Sequence, residues 1–185
     1  MGKAGILMEK LIEKVLELGA YKASIVDTKD IPMDISFRAM CESNACGKFG
    51  KNYQCPPHVG EIEDLMQTVR SFQKILVYQT VTHLEDSYDF EGMMDAGNQL
   101  NHLVQALYDY VKETFPSMHF LHLGAGGCRI CAKCGILTNE PCRFPDRAIG
   151  SLEAYGINVS KLAEVSNMKY VNGKDTVTFF GAILF

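Results

Sequence analysis

Apolar residues recur at three- or four-residue spacing in five stretches of the chain, which places them on one face of an amphipathic helix. In the first stretch Leu11 and Val15 lie on this face, and Gly19 follows as a natural stop. Pro116 ends the longest stretch because proline cannot continue a helix. The predicted helices are Ile6 to Leu18, Glu61 to about Phe72, Gly92 to Phe115, a stretch from Pro145 to Tyr155, and Val159 to Val165.

Between the helical stretches lie short segments rich in β-branched and aromatic residues, which predict strands. The predicted extended segments are Lys22 to Thr28, Met33 to Phe37, Lys74 to Val81, His119 to Leu123, and Thr176 to Phe185. Because helices and strands alternate, the fold class is predicted as α/β. We expect one domain over residues 1–185, a layered sandwich with helices packed on one mixed sheet and with cysteine-rich loops at strand ends.

The composition is that of an ordinary soluble globular protein, with 47% hydrophobic and 22% charged residues. A net charge of −4 argues against nucleic acid as a partner. Glu9, Lys10 and Glu13 interrupt the first apolar stretch, so it is neither a signal-peptide core nor a membrane span. We therefore expect a cytoplasmic protein with no membrane partner.

Seven cysteines are many for a cytoplasmic chain, where reducing conditions disfavour structural disulfides. Clustered cysteines in that setting indicate metal binding or catalysis, and the odd count also argues against a closed disulfide framework. The first group is Cys41, Cys46 and Cys55, and the second group is Cys128, Cys131, Cys134 and Cys142.

The second group has the spacing C-x2-C-x2-C-x7-C. Three cysteines separated by two-residue gaps let a short loop wrap one iron–sulfur cubane, as in bacterial ferredoxins. Tetrahedral zinc sites more often use two separated C-x2-C pairs. The spacing therefore favours an iron–sulfur cluster, of the [4Fe-4S] type, on Cys128, Cys131, Cys134 and Cys142. Zinc is the alternative cofactor, and unligated buried thiols are a third interpretation.

The residues beside the second group suit an anionic cluster. Gly126 and Gly127 allow backbone N–H groups to approach sulfur closely, as they do at other iron–sulfur sites. Arg129 and Lys133 carry positive charge that would offset the thiolates, as would Arg143 and Arg147. We therefore predict Gly126, Gly127, Arg129 and Lys133 as cofactor-binding residues. A tight turn with a solvated basic face is the alternative interpretation.

The first group has the less specific spacing C-x4-C-x8-C, in a loop rich in glycine and proline. Three thiolates leave one iron of a cubane without a protein ligand. His58, a nearby carboxylate or Cys142 is a candidate to complete the site, and an open iron would be able to bind a substrate. The alternative is a structural loop with inert cysteines. Catalytic residues are not predicted, and His119 and His122 are interpreted as packing or surface residues.

Five segments of the chain together resemble the uncharacterised family of predicted metal-binding proteins, a cysteine-rich domain of unknown function found mostly in anaerobic bacteria and archaea. These segments are Cys46 with Tyr53 to Gly60, Gly127 to Cys134, Pro141 to Pro145, Ser151 to Ile157, and the closing strand. The resemblance implies metal binding and an anaerobic setting, and it implies no known reaction.

Three functions are consistent with these patterns. The first is electron transfer in anaerobic metabolism, with one or two [4Fe-4S] clusters as one-electron carriers for a redox partner protein. The second is an iron–sulfur enzyme in which an open iron at the three-cysteine group binds a small-molecule substrate. The third is a zinc protein with a structural or interaction role. The sequence does not predict an oligomeric state.

Overall fold

The structure, a computed structural model, describes residues 3–185. Five α-helices and four β-strands are joined by turns and short 3-10 segments. In chain order they are α1 (Lys3–Glu17), β1 (Lys22–Asp27), α2 (Phe37–Glu42), α3 (Ile62–Arg70), β2 (Lys74–His83), α4 (Phe90–Thr114), β3 (Leu121–Leu123), α5 (Val159–Val165) and β4 (Thr176–Leu184). The predicted α/β class is confirmed.

The four strands form one sheet in the order β1-β2-β4-β3. All three strand pairings are antiparallel, and His122 of β3 lies opposite Ile183 of β4. The sheet was expected to be mixed, whereas its strands are antiparallel. One parallel bridge, between Gly124 and Ser151, lies outside the sheet. This bridge anchors the chain just before the second cysteine group.

Helices cover both faces of the sheet. Side chains alternate sides along a strand, so the apolar strands have residues to bury on each face. On β2, Leu76 and Tyr78 pack against α1 and α4, whereas Ile75 and Val77 pack against the layer that contains α3 and α5. All four of these β2 side chains are fully buried. The result is a sandwich of three layers, and the two cysteine groups lie in the connections rather than in the layers.

The predicted extended segment Met33 to Phe37 was wrong. Met33 makes only an isolated bridge to Ile157, and α2 begins at Phe37. Asp34 is the reason, because its carboxylate accepts a hydrogen bond from the backbone N–H of Ser36 at 2.9 Å and stabilises a turn. The first cysteine group therefore begins within a helix rather than after a strand, because Cys41 lies in α2.

The predicted helix from Pro145 to Tyr155 was also wrong, and only Glu153–Tyr155 forms a short 3-10 turn. The backbone N–H of Gly124 donates to the carbonyl of Gly150 at 2.9 Å, and the N–H of Leu152 donates to the carbonyl of Gly124 at 3.0 Å. The carbonyl of Gly150 and the N–H of Leu152 are paired with Gly124, just after β3, so they are not free for helical hydrogen bonds.

No helix within residues 3–185 has the combination of length and apolar character that a bilayer crossing needs.

Candidate metal centre

The second cysteine group begins where β3 ends. Gly126 adopts a positive φ of 72°, a conformation that glycine accepts without strain. A Cβ atom added to Gly127 would lie 3.1 Å from Sγ of Cys55, so a larger residue here would push the two cysteine groups apart. The glycines predicted as cofactor-binding residues thus give the loop its turn and its close approach to the first group.

Four cysteines that are separated by up to fourteen positions line one pocket: Cys128, Cys131, Cys134 and Cys142. The last of them returns to the others because the chain reverses at Asn139, which has a positive φ of 55°. After the reversal, the N–H of Glu140 donates to the carbonyl of Gly135 at 2.9 Å. Gly135 is required at this contact, since its Cβ would lie 2.7 Å from the carbonyl oxygen of Glu140.

The first loop forms part of the wall of this pocket. Asn52 is 7% exposed, and its side-chain Nδ2 donates to the carbonyl of Cys128 at 3.0 Å. Its Oδ1 accepts from the N–H of Gln54 at 2.9 Å, and the hydroxyl of Tyr53 donates to the carbonyl of Glu140 at 2.8 Å. The hydrogen bonds to Cys128 and Glu140 join the two cysteine loops, and the one from Gln54 fixes the Asn52 side chain within the first loop.

The thiols of the first group lie near one another. Burial, together with a smaller unfavourable charge interaction with the neighbouring Cys46 and Cys41, raises the pKa of Cys55 to about 11. Burial likewise raises the pKa of Cys41, with an additional contribution from Cys46, whereas Arg38 opposes the shift. Cys46 is exposed and the other two are half-buried, so this group opens towards solvent on one side.

The two groups adjoin at Cys55 and Cys128. Burial raises the pKa of Cys128, and the backbone N–H groups of Ile130 and Ile149 oppose the shift by hydrogen bonding to its sulfur. The thiols of Cys142 and Cys131 raise the same pKa, as expected for neighbours in one pocket. Cys128 also contributes to the raised pKa of Cys55. Backbone N–H donors beside the sulfur favour its thiolate form, the form that binds metal.

The basic residues named from the sequence lie in different surroundings. Arg129 points away from the cysteine pocket, and its guanidinium packs across Gly97 of α4, 3.1 Å from the position of a Cβ there. Lys133 is exposed, and its carbonyl accepts from Nη1 of Arg143 at 3.0 Å. Arg147 forms an ion pair with Asp109.

Arg143 lies beside the thiols, lines the cysteine pocket and is within hydrogen-bonding reach of Cys131. Its ion pair with Glu140, followed by the contact with Cys131, raises the pKa of the guanidinium. Sequence reasoning treated Arg143 as one of several nearby cations and missed Asn52 and Tyr53. Of these two residues, only Tyr53 lies in a segment that carries the family resemblance, Tyr53 to Gly60.

Candidate fourth ligands of the first group were also located. The His58 ring is exposed and meets the Tyr53 ring edge-on, with 6.1 Å between centroids. Glu153 is a carboxylate that burial desolvates, which raises its pKa, and its charge contributes to the raised pKa of Cys41. Cys142 lines the pocket of the second group instead.

Within residues 3–185, no three or more cysteine, histidine or carboxylate side chains are gathered tightly enough to hold one metal ion. A cluster makes a different demand, because each of its irons is bound by its own thiolate. Four thiols around one pocket, with N–H donors at a sulfur and an arginine beside it, fit the ligand chemistry of such a cluster.

Comparison with known protein families gives a match over most of the chain. The profile of a family described as "Predicted metal-binding protein (DUF2284)" matches residues 24–185, which include all seven cysteines. No curated protein and no solved structure matches the chain.

Proposed function

The chain belongs to this family of predicted metal-binding proteins, and we propose that it binds [4Fe-4S] clusters and transfers electrons in the cytoplasm in anaerobic metabolism. The observation that carries the proposal is the pocket lined by four cysteines whose spacing is C-x2-C-x2-C-x7-C. A bound cluster would supply one-electron transfer.

In the proposed arrangement, Cys128, Cys131, Cys134 and Cys142 each bind one iron of the first cluster. The shared pocket supports Cys142 as the fourth ligand, as does its effect on the pKa of Cys128. Zinc is the less suitable metal here, because four thiolates on one zinc ion at about 2.3 Å would have to lie within roughly 4 Å of each other. Within residues 3–185 no three such ligands are gathered tightly enough for one metal ion, which favours separate irons over a single zinc ion.

The remaining cysteines would hold a second centre on Cys41, Cys46 and Cys55. Its sulfur ligand Cys55 would stand beside Gly127 and Cys128 of the first centre. Because Cys55 interacts with Cys128, the two centres would lie side by side and would exchange electrons readily, as the two clusters of a carrier protein do. The solvent-exposed Cys46 would be on the side from which a redox partner approaches.

A second candidate function rests on the same three cysteines. If no protein ligand joins Cys41, Cys46 and Cys55, one iron is available to a small-molecule substrate. The desolvated carboxyl of Glu153 near Cys41 would then stand beside the reacting group as a proton donor or acceptor. Exogenous ligands that change the spectrum of the second centre would favour this enzyme over the carrier.

The test is anaerobic purification followed by iron, acid-labile sulfide and zinc analysis with electron paramagnetic resonance. We expect a brown protein that contains iron and sulfide. Replacing Cys131→Ser should remove about four iron atoms per chain, since a neutral hydroxyl holds iron far less well than a thiolate. Ala132→Ser is the matched control, because it changes an exposed residue of the same loop without removing a ligand. Stoichiometric zinc with no sulfide would reject the proposal.

A further inference from the structure

The short 3-10 turn Glu153–Tyr155 lies against the beginning of the first cysteine group. The helix α2, which carries Cys41, packs directly on this turn. A backbone hydrogen bond beside the contact holds the two segments together, because the N–H of Asp34 donates to the carbonyl of Gly156 at 2.7 Å. Tertiary packing therefore brings Glu153 to the helix that supplies the first thiol of the group.

The segment that ends in this turn also adjoins the third cysteine of the group. A Cβ atom added to Gly150 would lie 3.0 Å from Cε2 of Tyr155 and 3.5 Å from the carbonyl oxygen of Gln54. Gln54 immediately precedes Cys55 in the chain. The turn is therefore next to the loop around Cys55 as well as to α2.

A third contact places Glu153 near the junction of the two cysteine loops. Glu153 and Gly126 line the same pocket. The next residue, Gly127, is the one whose added Cβ would lie 3.1 Å from Sγ of Cys55. Three separate contacts thus place the Glu153 carboxyl in the region bounded by Cys41 and Cys55.

The carboxyl of Glu153 is withdrawn from water without a cation beside it. Burial raises its pKa, and a hydrogen bond with Ser151 only partly opposes this effect. Glu153 forms no ion pair with the residues that the structure describes, 3–185. Arg38 of α2 directs its Nη2 to the carbonyl of Gly60 at 2.6 Å instead. Carboxylates in such surroundings usually pair with a cation or coordinate a metal.

A [4Fe-4S] cluster on three thiolates requires one more ligand to close it, since each iron has its own. The fourth ligand must lie near the thiols without touching them. Glu153 meets this requirement, because it is close enough to Cys41 for its charge to act on that thiol. His58 meets it less well, since its exposed ring lies against Tyr53, whose hydroxyl binds the carbonyl of Glu140 in the second loop.

We propose that the carboxylate of Glu153 is the fourth ligand of the first cysteine group and binds the iron that Cys41, Cys46 and Cys55 leave open. This inference rests on the proposed iron–sulfur function and concerns the ligation of one centre. Carboxylates bind iron in other proteins, although thiolates are the usual ligands of clusters. A centre closed by Glu153 has no iron free for a substrate, so this ligation favours the electron carrier over the enzyme.

The test compares Glu153→Gln, Glu153→Cys and Glu42→Gln with the wild-type protein, all purified without oxygen. Glutamine keeps the shape of glutamate but removes its charge, whereas cysteine changes the shape and supplies a thiolate. Glu42→Gln is the matched control, because Glu42 is an exposed carboxylate that also acts on the Cys41 thiol. Each protein is reduced, titrated with ¹³C-labelled cyanide, and examined for iron content and for ¹³C hyperfine coupling to the electron spin of the cluster. Such coupling requires cyanide bound to an iron.

We expect ¹³C coupling in Glu153→Gln and none in the wild-type protein, Glu153→Cys or Glu42→Gln. Loss of about four iron atoms from Glu153→Gln, with full iron content in Glu153→Cys, would support the ligand role equally. A residue needed only for its shape is replaced better by glutamine than by cysteine, so this order of the two variants separates a ligand from a structural residue.

Three results would overturn the inference: ¹³C coupling in the wild-type protein or in Glu42→Gln, a Glu153→Gln centre that keeps its iron and binds no cyanide, or loss of iron from Glu153→Cys. A wild-type protein without iron and acid-labile sulfide would instead reject the proposed function itself. The failure of the inference is therefore distinguishable from the failure of the function on which it rests.

Discussion

Asn52 offers the sharpest test of how the two cysteine loops depend on each other. Asn52→Ala removes the hydrogen bond to the carbonyl of Cys128 at 3.0 Å and the one from the N–H of Gln54 at 2.9 Å. Each is a neutral hydrogen bond with a net contribution of about 1 kcal/mol, so the free energy of unfolding should fall by about 2 kcal/mol. The effect on the metal should be larger, because groups that position metal ligands typically change metal affinity by roughly 10–100-fold.

A matched control exists elsewhere in the chain. The side chain of Asn172 also makes two hydrogen bonds, to the carbonyl of Lys169 and to the hydroxyl of Thr178, both at 3.0 Å. Asn172→Ala should therefore cost a similar free energy of unfolding. Asn172 does not line the cysteine pocket, so this substitution should not change metal retention.

The two variants are compared by denaturant unfolding of the metal-free proteins and by the rate at which a chelator removes metal from the loaded proteins. We expect similar losses of stability and faster metal loss only for Asn52→Ala. Equal rates of metal loss in both variants would refute the idea that Asn52 holds the ligand loop in place.

Three further outcomes are expected. Gly181→Ala should lower the free energy of unfolding by about 1–3 kcal/mol, because the new Cβ collides with the fully buried ring of Tyr78. Adding Tyr78→Leu to this variant should restore part of the lost free energy of unfolding, measured by urea denaturation. Burial raises the pKa of Cys55 from 9.0 to about 11, so the neutral thiol stabilises the metal-free fold fully below pH 9.0. This contribution is lost as the pH rises from 9.0 to about 11, because the thiol ionises in the unfolded chain before it ionises in the folded one. Thermal melts of Cys55→Ser should show a weaker loss of stability over the same pH range. Arg143→Gln should accelerate metal removal by a chelator by roughly tenfold. Arg129→Gln should not, because of these two arginines only Arg143 lines the cysteine pocket. Equal rates for the two arginine variants would contradict this assignment.

The repeating elements of the fold were predictable from the chain alone. The helix α5 was predicted at Val159 to Val165, where the structure has it, and α1, α3 and α4 were each predicted to within a few residues. The physical reason is that these helices bury one apolar face, which leaves a periodic pattern in the sequence. The strands β1, β2 and β4 are apolar for the same reason, since the sheet buries both faces.

The two segments that were predicted wrongly are governed by contacts with distant residues. At 33–37 a local turn at Asp34 is reinforced by a hydrogen bond from its backbone N–H to the carbonyl of Gly156. At 146–155 the backbone pairs with Gly124. In both places a backbone group found a partner far along the chain, and local periodicity carries no record of such a partner.

The sequence by itself determined which atoms are available as metal ligands, since the number and spacing of the cysteines set the donor chemistry and the reach of each loop. Only the tertiary structure decided which loops meet. Asn52 and Cys128 are 76 positions apart, yet they share one hydrogen bond, and Arg129 packs on α4 although its neighbour in sequence lines the pocket. Such pairings depend on the balance of burial and hydrogen bonding over the whole molecule, which spacing along the chain does not encode.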